Sequence, residues 1–310
     1  MPLITLFTTP KPFTTPHIAL IQRNALRSWL ALGSQVEVLL IGEEDGMAQV
    51  AQEMGIRQLT QVERNAHGTP LIRSIFDLAR QNGTGRLLAY VNADILLLPD
   101  FVRAAQQIMQ QAQRFLVVGQ RWDLDVRQEI DFSSGWDARL REWVAREGKL
   151  HPPMGSDYFI FPPECFQNLP PMAVGRAGWD NWMLYEGRRN GWAVVDASQD
   201  VLIIHQNHDY SHLTNGQPHY RLPETDENVR LGGGKLTIFT LRDVSRRLSG
   251  GKLARMSPGW KRFWREVEIF PLVRLNSKPL GWLFFAFFHP YKAYGLLRRR
   301  LVKQNTEGSG

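Results

Sequence analysis

The chain holds a single cysteine, Cys165, among its 310 residues. One thiol closes no internal disulfide and builds no Cys-rich zinc site, so a small disulfide scaffold is excluded and a reducing compartment fits. Long apolar runs are missing too. The greasiest stretch, residues 280–288, falls short of the roughly 20 apolar residues that a membrane-crossing helix needs. No internal repeat is evident, and no GxxxxGK[ST] phosphate loop occurs. Gly232-Gly233-Gly234-Lys235 lacks both the spacing and the preceding strand. Met1-Pro2 leads straight into the β-branched run Leu3-Ile4-Thr5-Leu6-Phe7-Thr8-Thr9, which predicts a first strand and not a secretory signal. With 43% hydrophobic and 22% charged residues, the composition excludes wholesale disorder and a collagen-like chain. The length allows two domains or one large α/β domain.

Charge is present but unevenly placed. From Arg246 onward, 14 basic residues face three acidic ones, a net +11, while 23 basic and 27 acidic residues give residues 1–245 a net −4. A protein that coats nucleic acid would not confine its basic character to the last fifth of the chain, so no nucleic-acid partner is expected.

The first half alternates strand and helix. Strands are predicted at 3–9, 36–42, 86–91 and 115–119, with helices at 17–32, 47–54, 72–80 and 101–114. That order argues for an α/β fold with a mainly parallel sheet and helices on both faces. Ligands in such sheets bind at the carboxyl ends of the strands. The second half is richer in aromatics. It predicts strands at 158–161, 193–196 and 201–204 and a helix at 179–189.

The most specific feature is Leu87-Leu88-Ala89-Tyr90-Val91-Asn92-Ala93-Asp94-Ile95-Leu96-Leu97. A carboxylate inside so apolar a segment is costly unless an ionic partner holds it, and a divalent cation bridging a diphosphate is one such partner. The plainer alternative is an Asp94 that caps a turn and an Asn92 bonded to backbone.

A strand running into Asn-Ala-Asp after a βαβα half, with the acidic loop Glu43-Glu44-Asp45 upstream, resembles the GT-A class of nucleotide-sugar glycosyltransferases, family 2-like. The usual Asp-x-Asp is replaced here by Asn-Ala-Asp. The resemblance covers about residues 1–215. It implies that Asp94 holds Mn²⁺ or Mg²⁺ on the donor diphosphate, and that Asn92 lies near the ribose or sugar. It places Thr8 and Thr9 at the nucleobase and Glu43 against base or ribose, leaving Glu44 and Asp45 as surface charges. Arg73, on the helix opened by the loop Asn65-Ala66-His67-Gly68-Thr69-Pro70, becomes a candidate diphosphate cation, with a solvated helix arginine as the alternative.

In Gly175-Arg176-Ala177-Gly178-Trp179-Asp180-Asn181-Trp182 one acid sits between two tryptophans at a helix start. By resemblance Asp180 would take the acceptor hydroxyl's proton, and Asp157 in Gly155-Ser156-Asp157-Tyr158 is the competing acid. Trp179 and Trp182 are expected to stack on an acceptor sugar. Supporting the helix dipole is the alternative for Asp180. His205-Gln206-Asn207-His208 follows an apolar strand, where many GT-A enzymes supply a late histidine to the metal. His205 and His208 are the candidates, with Asp209 and His212 orienting the ligand. Cys165 reads as packing.

The tail interleaves Trp260, Phe263 and Trp264 with Lys261, Arg262 and Arg265. It then flanks 280–288 with Lys278, Lys292 and Arg298-Arg299-Arg300, before a flexible end at Glu307-Gly308-Ser309-Gly310. Aromatics at headgroup depth and cations facing anionic lipid suit peripheral attachment. The expected plan is therefore a GT-A-like domain at 1–245, with a nucleotide half at 1–120 and an acceptor half at 121–215. A basic, aromatic-rich helical extension follows at 246–310. The expected activity is metal-dependent transfer of a sugar, hexosyltransferase-like, from a nucleoside-diphosphate donor to a hydroxyl of a glycan or lipid. The place is the cytoplasm, on the inner face of a membrane. A nucleotidyltransferase is a competitor, although Thr8-Thr9-Pro10-Lys11-Pro12 is poor in the glycine its loop would need. A non-catalytic sugar-binding protein is another.

Overall fold

The computed structural model describes residues 1–208 and 222–296. Its strands are β1 (Ile4–Thr8), β2 (Val36–Ile41), β3 (Arg57–Leu59), β4 (Leu87–Val91), β5 (Ile95–Leu97), β6 (Phe115–Val118), β7 (Arg121–Leu124), β8 (Lys149–Leu150), β9 (Tyr158–Phe161), β10 (Ala193–Asp196), β11 (Ile203–Gln206), β12 (Arg246–Ser249) and β13 (Lys252–Arg255). The helices are α1 (Pro16–Leu30), α2 (Met47–Met54), α3 (Ile72–Asn82), α4 (Asp100–Met109), α5 (Trp136–Glu147), α6 (Trp179–Arg189), α7 (Pro223–Leu231), α8 (Trp260–Val273) and α9 (Lys278–Phe288).

Nine strands form one sheet in the order β13-β12-β10-β6-β9-β4-β1-β2-β3. β4, β1, β2 and β3 run parallel, as do β6, β10 and β12, while β9 runs antiparallel between β4 and β6. A second sheet has the order β5-β11-β7-β8. The expected mixed, mainly parallel sheet is what the chain forms.

The central strands β1, β4, β6 and β9 are buried at every residue, as strands covered on both faces must be. Alternation sorts their side chains. Ile4 and Leu6 join Ala25, Leu26, Trp29 and Phe101 in one core. Phe7 turns the other way and meets Phe76, Tyr90 and Phe161 at ring-centroid distances of 5.0, 5.6 and 6.5 Å.

The chain divides into two units, Met1–Gly187 with Trp192–Met256, and Arg188–Gly191 with Ser257–Gly310. The charge pattern of the sequence places its division earlier, before Arg246. β12 pairs in parallel with β10, and β13 pairs with β12, so the first basic residues of the tail are the edge of the main sheet. Among the described residues no helix is long and apolar enough to cross a membrane.

Candidate active site

The site is built where β4 ends. Ile95 N donates to Asn92 O at 3.1 Å, closing a turn that carries the chain from β4 into β5 and lifts Asp94 out at its top. α1 fixes the far side of that turn, because Trp29 Nε1 donates to Ile95 O at 2.9 Å and Leu97 N to Ser28 Oγ at 3.1 Å. β11 then pairs antiparallel with β5, His205 opposite Ile95. Gln206 N and Nε2 each donate to Asp94 O at 3.2 Å. Two segments far apart in sequence are thus locked side by side by backbone pairing and the Gln206 side chain.

The side chains converge on one carboxylate oxygen. Asp94 Oδ2 lies 3.1 Å from His208 Nε2, 3.9 Å from His205 Nε2 and 3.8 Å from Lys11 Nζ. Asp94 Oδ1 is buried and has no hydrogen-bond partner among the described residues. Burial alone would raise the Asp94 pKa, but the His208 hydrogen bond and the neighbouring His205 and Lys11 outweigh it and hold the carboxyl well below the usual range. Burial pulls the Lys11 pKa down, against the opposing effect of Asp94.

One atom here is asked to do two incompatible things. His208 Nε2 is 3.1 Å from Asp94 Oδ2 and also 3.1 Å from Lys11 Nζ. An ionised carboxylate only accepts and an ammonium only donates, so a single ring nitrogen cannot satisfy both. A cation shared by Asp94, His205 and His208 would give Asp94 Oδ2 and His208 Nε2 a common partner with no proton between them, and Lys11 would then donate to another acceptor. The ligand atoms of these three residues lie within 4.8 Å of one another. With the orphaned Oδ1 they fit a divalent ion. His205 Nδ1 lies 3.3 Å from Asp123 Oδ1, close enough for charge attraction but without hydrogen-bond geometry, and its Nε2 faces Asp94.

A second layer of charge surrounds this group. Arg121 reaches Asp123 at 2.9 Å and Asp157 at 2.8 Å, and His151 Nδ1 lies 2.8 Å from Asp123 Oδ2. Burial would raise the Asp123 pKa, but His205, His151 and Arg121 keep it low. Asn92 Nδ2 donates to Asp157 Oδ1 at 2.9 Å, and Asn92 N to Asp157 O at 2.9 Å. Asn92 and Asp157 are therefore tied to each other across the β4–β9 pair.

Asp180 stands at the first turn of α6. A Cβ placed on Gly155 would lie 3.7 Å from its Oδ2, so the loop carrying Asp157 passes beside it. Burial pushes the Asp180 carboxyl up to about 6, with the Asp157 charge adding to the rise, against backbone N–H groups of Asn181 and Gly178. A carboxylate so tuned is a competent proton acceptor near neutral pH. Burial pushes the Cys165 thiol up to about 12, in keeping with packing and not nucleophilic chemistry.

At the neighbouring strand ends the polar atoms are unsatisfied. Thr8 Oγ1, Thr9 Oγ1 and Glu44 Oε2 are buried with no hydrogen-bond partner among the described residues. They lie at the carboxyl ends of β1 and β2, beside β4 in the sheet. Such atoms cost free energy unless a ligand completes them.

For Glu43, Glu44, Arg73, Trp179 and Trp182 the surroundings differ from those expected. Glu43 is exposed, and Glu44 is the carboxylate that turns inward, held by Arg64 at 2.9 Å with its side chain 13% exposed. Gly42 makes that turn. Its φ is +128°, and a Cβ there would collide with the Glu44 carboxylate. Arg73 lies out on α3, 47% exposed and paired with Glu63 at 2.9 Å, so the cation beside Asp94 is Lys11 instead. Trp179, expected to stack on an acceptor sugar, is instead packed in the core. It is 5% exposed and packs at 5.1 Å on Tyr90 and 5.2 Å on Phe159. Trp182 is likewise buried, against Gly232. Tryptophan's apolar area wins wherever a core is near enough to take it.

Sequence reasoning did not single out Lys11, Arg64, Arg121, Asp123 or His151. Arg121-Trp122-Asp123-Leu124 does alternate as a strand should, and that was the available signal. Asp209, His212, Arg298-Arg299-Arg300 and Glu307-Gly308-Ser309-Gly310 lie outside the described residues.

No protein-family model matches the chain, and no curated protein does either. Solved structures do. S. aureus TarS 1–349 in complex with UDP-GlcNAc superposes with a TM-score of 0.50 at 12% identity, over 93% of this chain and 80% of that one. The chain has the GT-A glycosyltransferase fold. Glucosyl-3-phosphoglycerate synthase from Mycobacterium tuberculosis, in complex with Mg²⁺ and UDP, gives a TM-score of 0.43 at 16% identity, over 67% of this chain and 72% of that chain. Mannosyltransferase PcManGT from Pyrobaculum calidifontis, in complex with GDP-Man and Mn²⁺, gives 0.41 at 13% identity, over 68% and 59%. On the GT-A fold the cluster of Asp94, His205 and His208 stands at the carboxyl edge of the sheet, where this architecture binds ligands.

Proposed function

We propose that the protein is a metal-dependent glycosyltransferase, moving a sugar from a nucleoside-diphosphate donor to a hydroxyl acceptor. The observation that carries this reading is the convergence of Asp94, His205 and His208 on one point, with Asp94 Oδ1 unsatisfied, at the strand edge that also holds the orphaned Thr8, Thr9 and Glu44 oxygens. These three residues would hold the ion, which when bound supplies positive charge against the diphosphate. Two imidazoles and one carboxylate suit Mn²⁺ better than Mg²⁺, a cation of all-oxygen sites.

The chain's own groups supply the rest. Lys11 gives a second positive charge beside Asp94 for the departing diphosphate. Thr8, Thr9 and Glu44 offer hydrogen-bonding atoms to the nucleoside. Asp180 takes the proton of the acceptor hydroxyl as its oxygen bonds to the anomeric carbon and the bond from that carbon to phosphate oxygen breaks. Asp157, held by Asn92 and Arg121, keeps its loop in place and raises the Asp180 pKa. In the finer form of this reading the acceptor is a lipid or lipid-linked glycan at the inner face of a membrane, which the basic, aromatic C-terminal unit supports.

Calorimetric titration of Mn²⁺, with UDP and GDP as separate nucleotides, tests the proposal. Wild type is expected to bind one Mn²⁺, more tightly with the correct nucleotide present, and to bind Mg²⁺ more weakly. Asp94→Ala should lose metal binding and weaken the nucleotide at least about tenfold. Unchanged Mn²⁺ binding by Asp94→Ala would show the metal assignment to be wrong.

A further inference from the structure

The second unit is built against the usual rule for a helix in water. α9 reads Lys-Pro-Leu-Gly-Trp-Leu-Phe-Phe-Ala-Phe-Phe, and its sole buried residue is Gly281. A helix that is apolar all round is normally enclosed by a core or by lipid. Here Leu283 and Phe287 are exposed, Phe287 at 78%, and Tyr291 beyond the helix at 92%. α8 adds a stripe of its own. Trp260, Phe263, Trp264 and Phe270 are exposed at helical spacing, Trp260 at 74%.

These side chains belong to an ordered hairpin. Ser277 Oγ caps α9 by accepting from Leu280 N at 3.4 Å. Gly281 lies so close to Leu272 of α8 that a Cβ there would collide with it, and Trp264 meets Phe288 at 5.9 Å. Both described acids of Ser257–Gly310 are consumed inside the unit. Glu266 pairs with Arg188 at 2.6 Å and Arg262 at 3.1 Å, and Glu268 with Arg265 at 3.0 Å and His289 at 3.1 Å. Six cations stand against those two acids in residues 257–296.

We propose that the α8–α9 hairpin is a peripheral anchor that lies in the headgroup layer of an anionic lipid bilayer. The chemistry selects that occupant. Eleven residues of α9 rise only about 16 Å, half a hydrocarbon core, so the helix can lie on a membrane but not span it. Trp and Tyr beside cations are the composition that headgroup depth favours. A second copy docking through the same unit would face this surface with its own excess of positive charge, whereas anionic lipid complements it. Lipid binding needs neither donor nor metal, so it stands or falls independently of the transferase reading.

Flotation of the full-length protein with phosphatidylcholine vesicles, with and without phosphatidylglycerol, tests the anchor. The protein should float with anionic vesicles at least about tenfold better than with neutral ones, and less at high salt. Leu283→Ser/Phe287→Ser should cut flotation about tenfold or more with the melting temperature unchanged, since both side chains are exposed. Lys278→Glu/Lys292→Glu should abolish the preference for anionic lipid. Flotation of Leu283→Ser/Phe287→Ser at the wild-type level would overturn the proposal. So would absence of wild-type flotation, or a dimer in sedimentation that this variant dissociates.

Discussion

The two units spend their aromatic residues in opposite ways. In the first, Phe7, Phe76, Tyr90, Phe161 and Trp179 form one continuous cluster, mostly edge to face, whose ring centroids lie 5.0–6.5 Å apart. In the second, Trp260, Phe263, Phe287 and Tyr291 face outward. The polar atoms are arranged in the reverse sense. The second unit pairs its described acids internally, while the first leaves Thr8, Thr9, Glu44 and Asp94 with unsatisfied atoms along one sheet edge. Unsatisfied groups mark where a ligand is needed, polar ones for a polar ligand and apolar ones for an apolar surface. Residue type alone does not say which; the surroundings of each group do.

The largest effect expected on that contrast comes from Asp180→Asn, which keeps the shape and removes the base. Activity should fall about 10²–10⁴-fold, read as kcat with donor saturating. Stability should move the other way. Wild-type Asp180 has its pKa raised from 3.8 to about 6 in the fold, so the folded state binds this proton more tightly than the unfolded chain does. Well below the unfolded value of 3.8 both states are protonated and no penalty arises. As pH rises through 6 the folded carboxyl must ionise against its burial, at a cost of about 3 kcal/mol. Asp180→Asn should therefore melt higher than wild type at pH 8 and match it only at about pH 3. Wild-type kcat should fall as pH drops through about 6. A variant that loses activity with no gain in melting temperature at pH 8 would make Asp180 an ordinary helix-start residue.

Next in size is the difference between a buried and an exposed aromatic. Trp179→Ala opens a hole among Tyr90, Phe159 and Phe76 and should cost about 3–5 kcal/mol in chemical denaturation. Phe287→Ser removes a side chain that is already in water and should change stability by less than about 0.5 kcal/mol. If instead Trp179→Ala leaves stability intact and raises the acceptor KM, Trp179 is a binding platform after all.

That pair of tryptophans shows what could and could not be seen in the sequence. The strands at 87–91, 115–118 and 158–161 were legible because fully buried strands read as apolar runs. The Asn-Ala-Asp turn and the histidines after 203–206 were legible because polar groups at the end of such runs stand out. β11 sits two residues later than predicted, since Ile203 rather than Val201 begins the pairing with β5 and β7. β5, β7 and α5 were not foreseen. β5 and β7 are short strands whose pairing is set by β11, a partner distant in sequence. Lys11, Arg121 and Asp123 were missed for the same reason. Their roles depend on which distant carboxylate or imidazole the fold brings opposite them, and spacing along one segment carries no record of that. The division expected before Arg246 rests on charge, whereas the hydrogen bonding of β12 to β10 carries the main sheet past that point.

The smallest expected effect separates two cations, of which the sequence singled out only Arg73. Arg73 and Lys11 both sit near a helix that opens toward the strand ends, and each is a candidate for the donor diphosphate. Arg73 is half-exposed and bonded to an exposed Glu63. Surface pairs of this kind contribute about 0–1 kcal/mol, so Arg73→Gln should leave the donor KM within about twofold and stability nearly unchanged. Lys11 is half-buried beside Asp94 and His208. A charge there acts through less water, and Lys11→Gln should raise the donor KM about tenfold or more while leaving Trp fluorescence of the fold untouched. Equal KM values for the two variants would mean that the diphosphate lies away from Lys11. A rise for Arg73→Gln alone would mean that α3, and not the loop after β1, supplies the second positive charge.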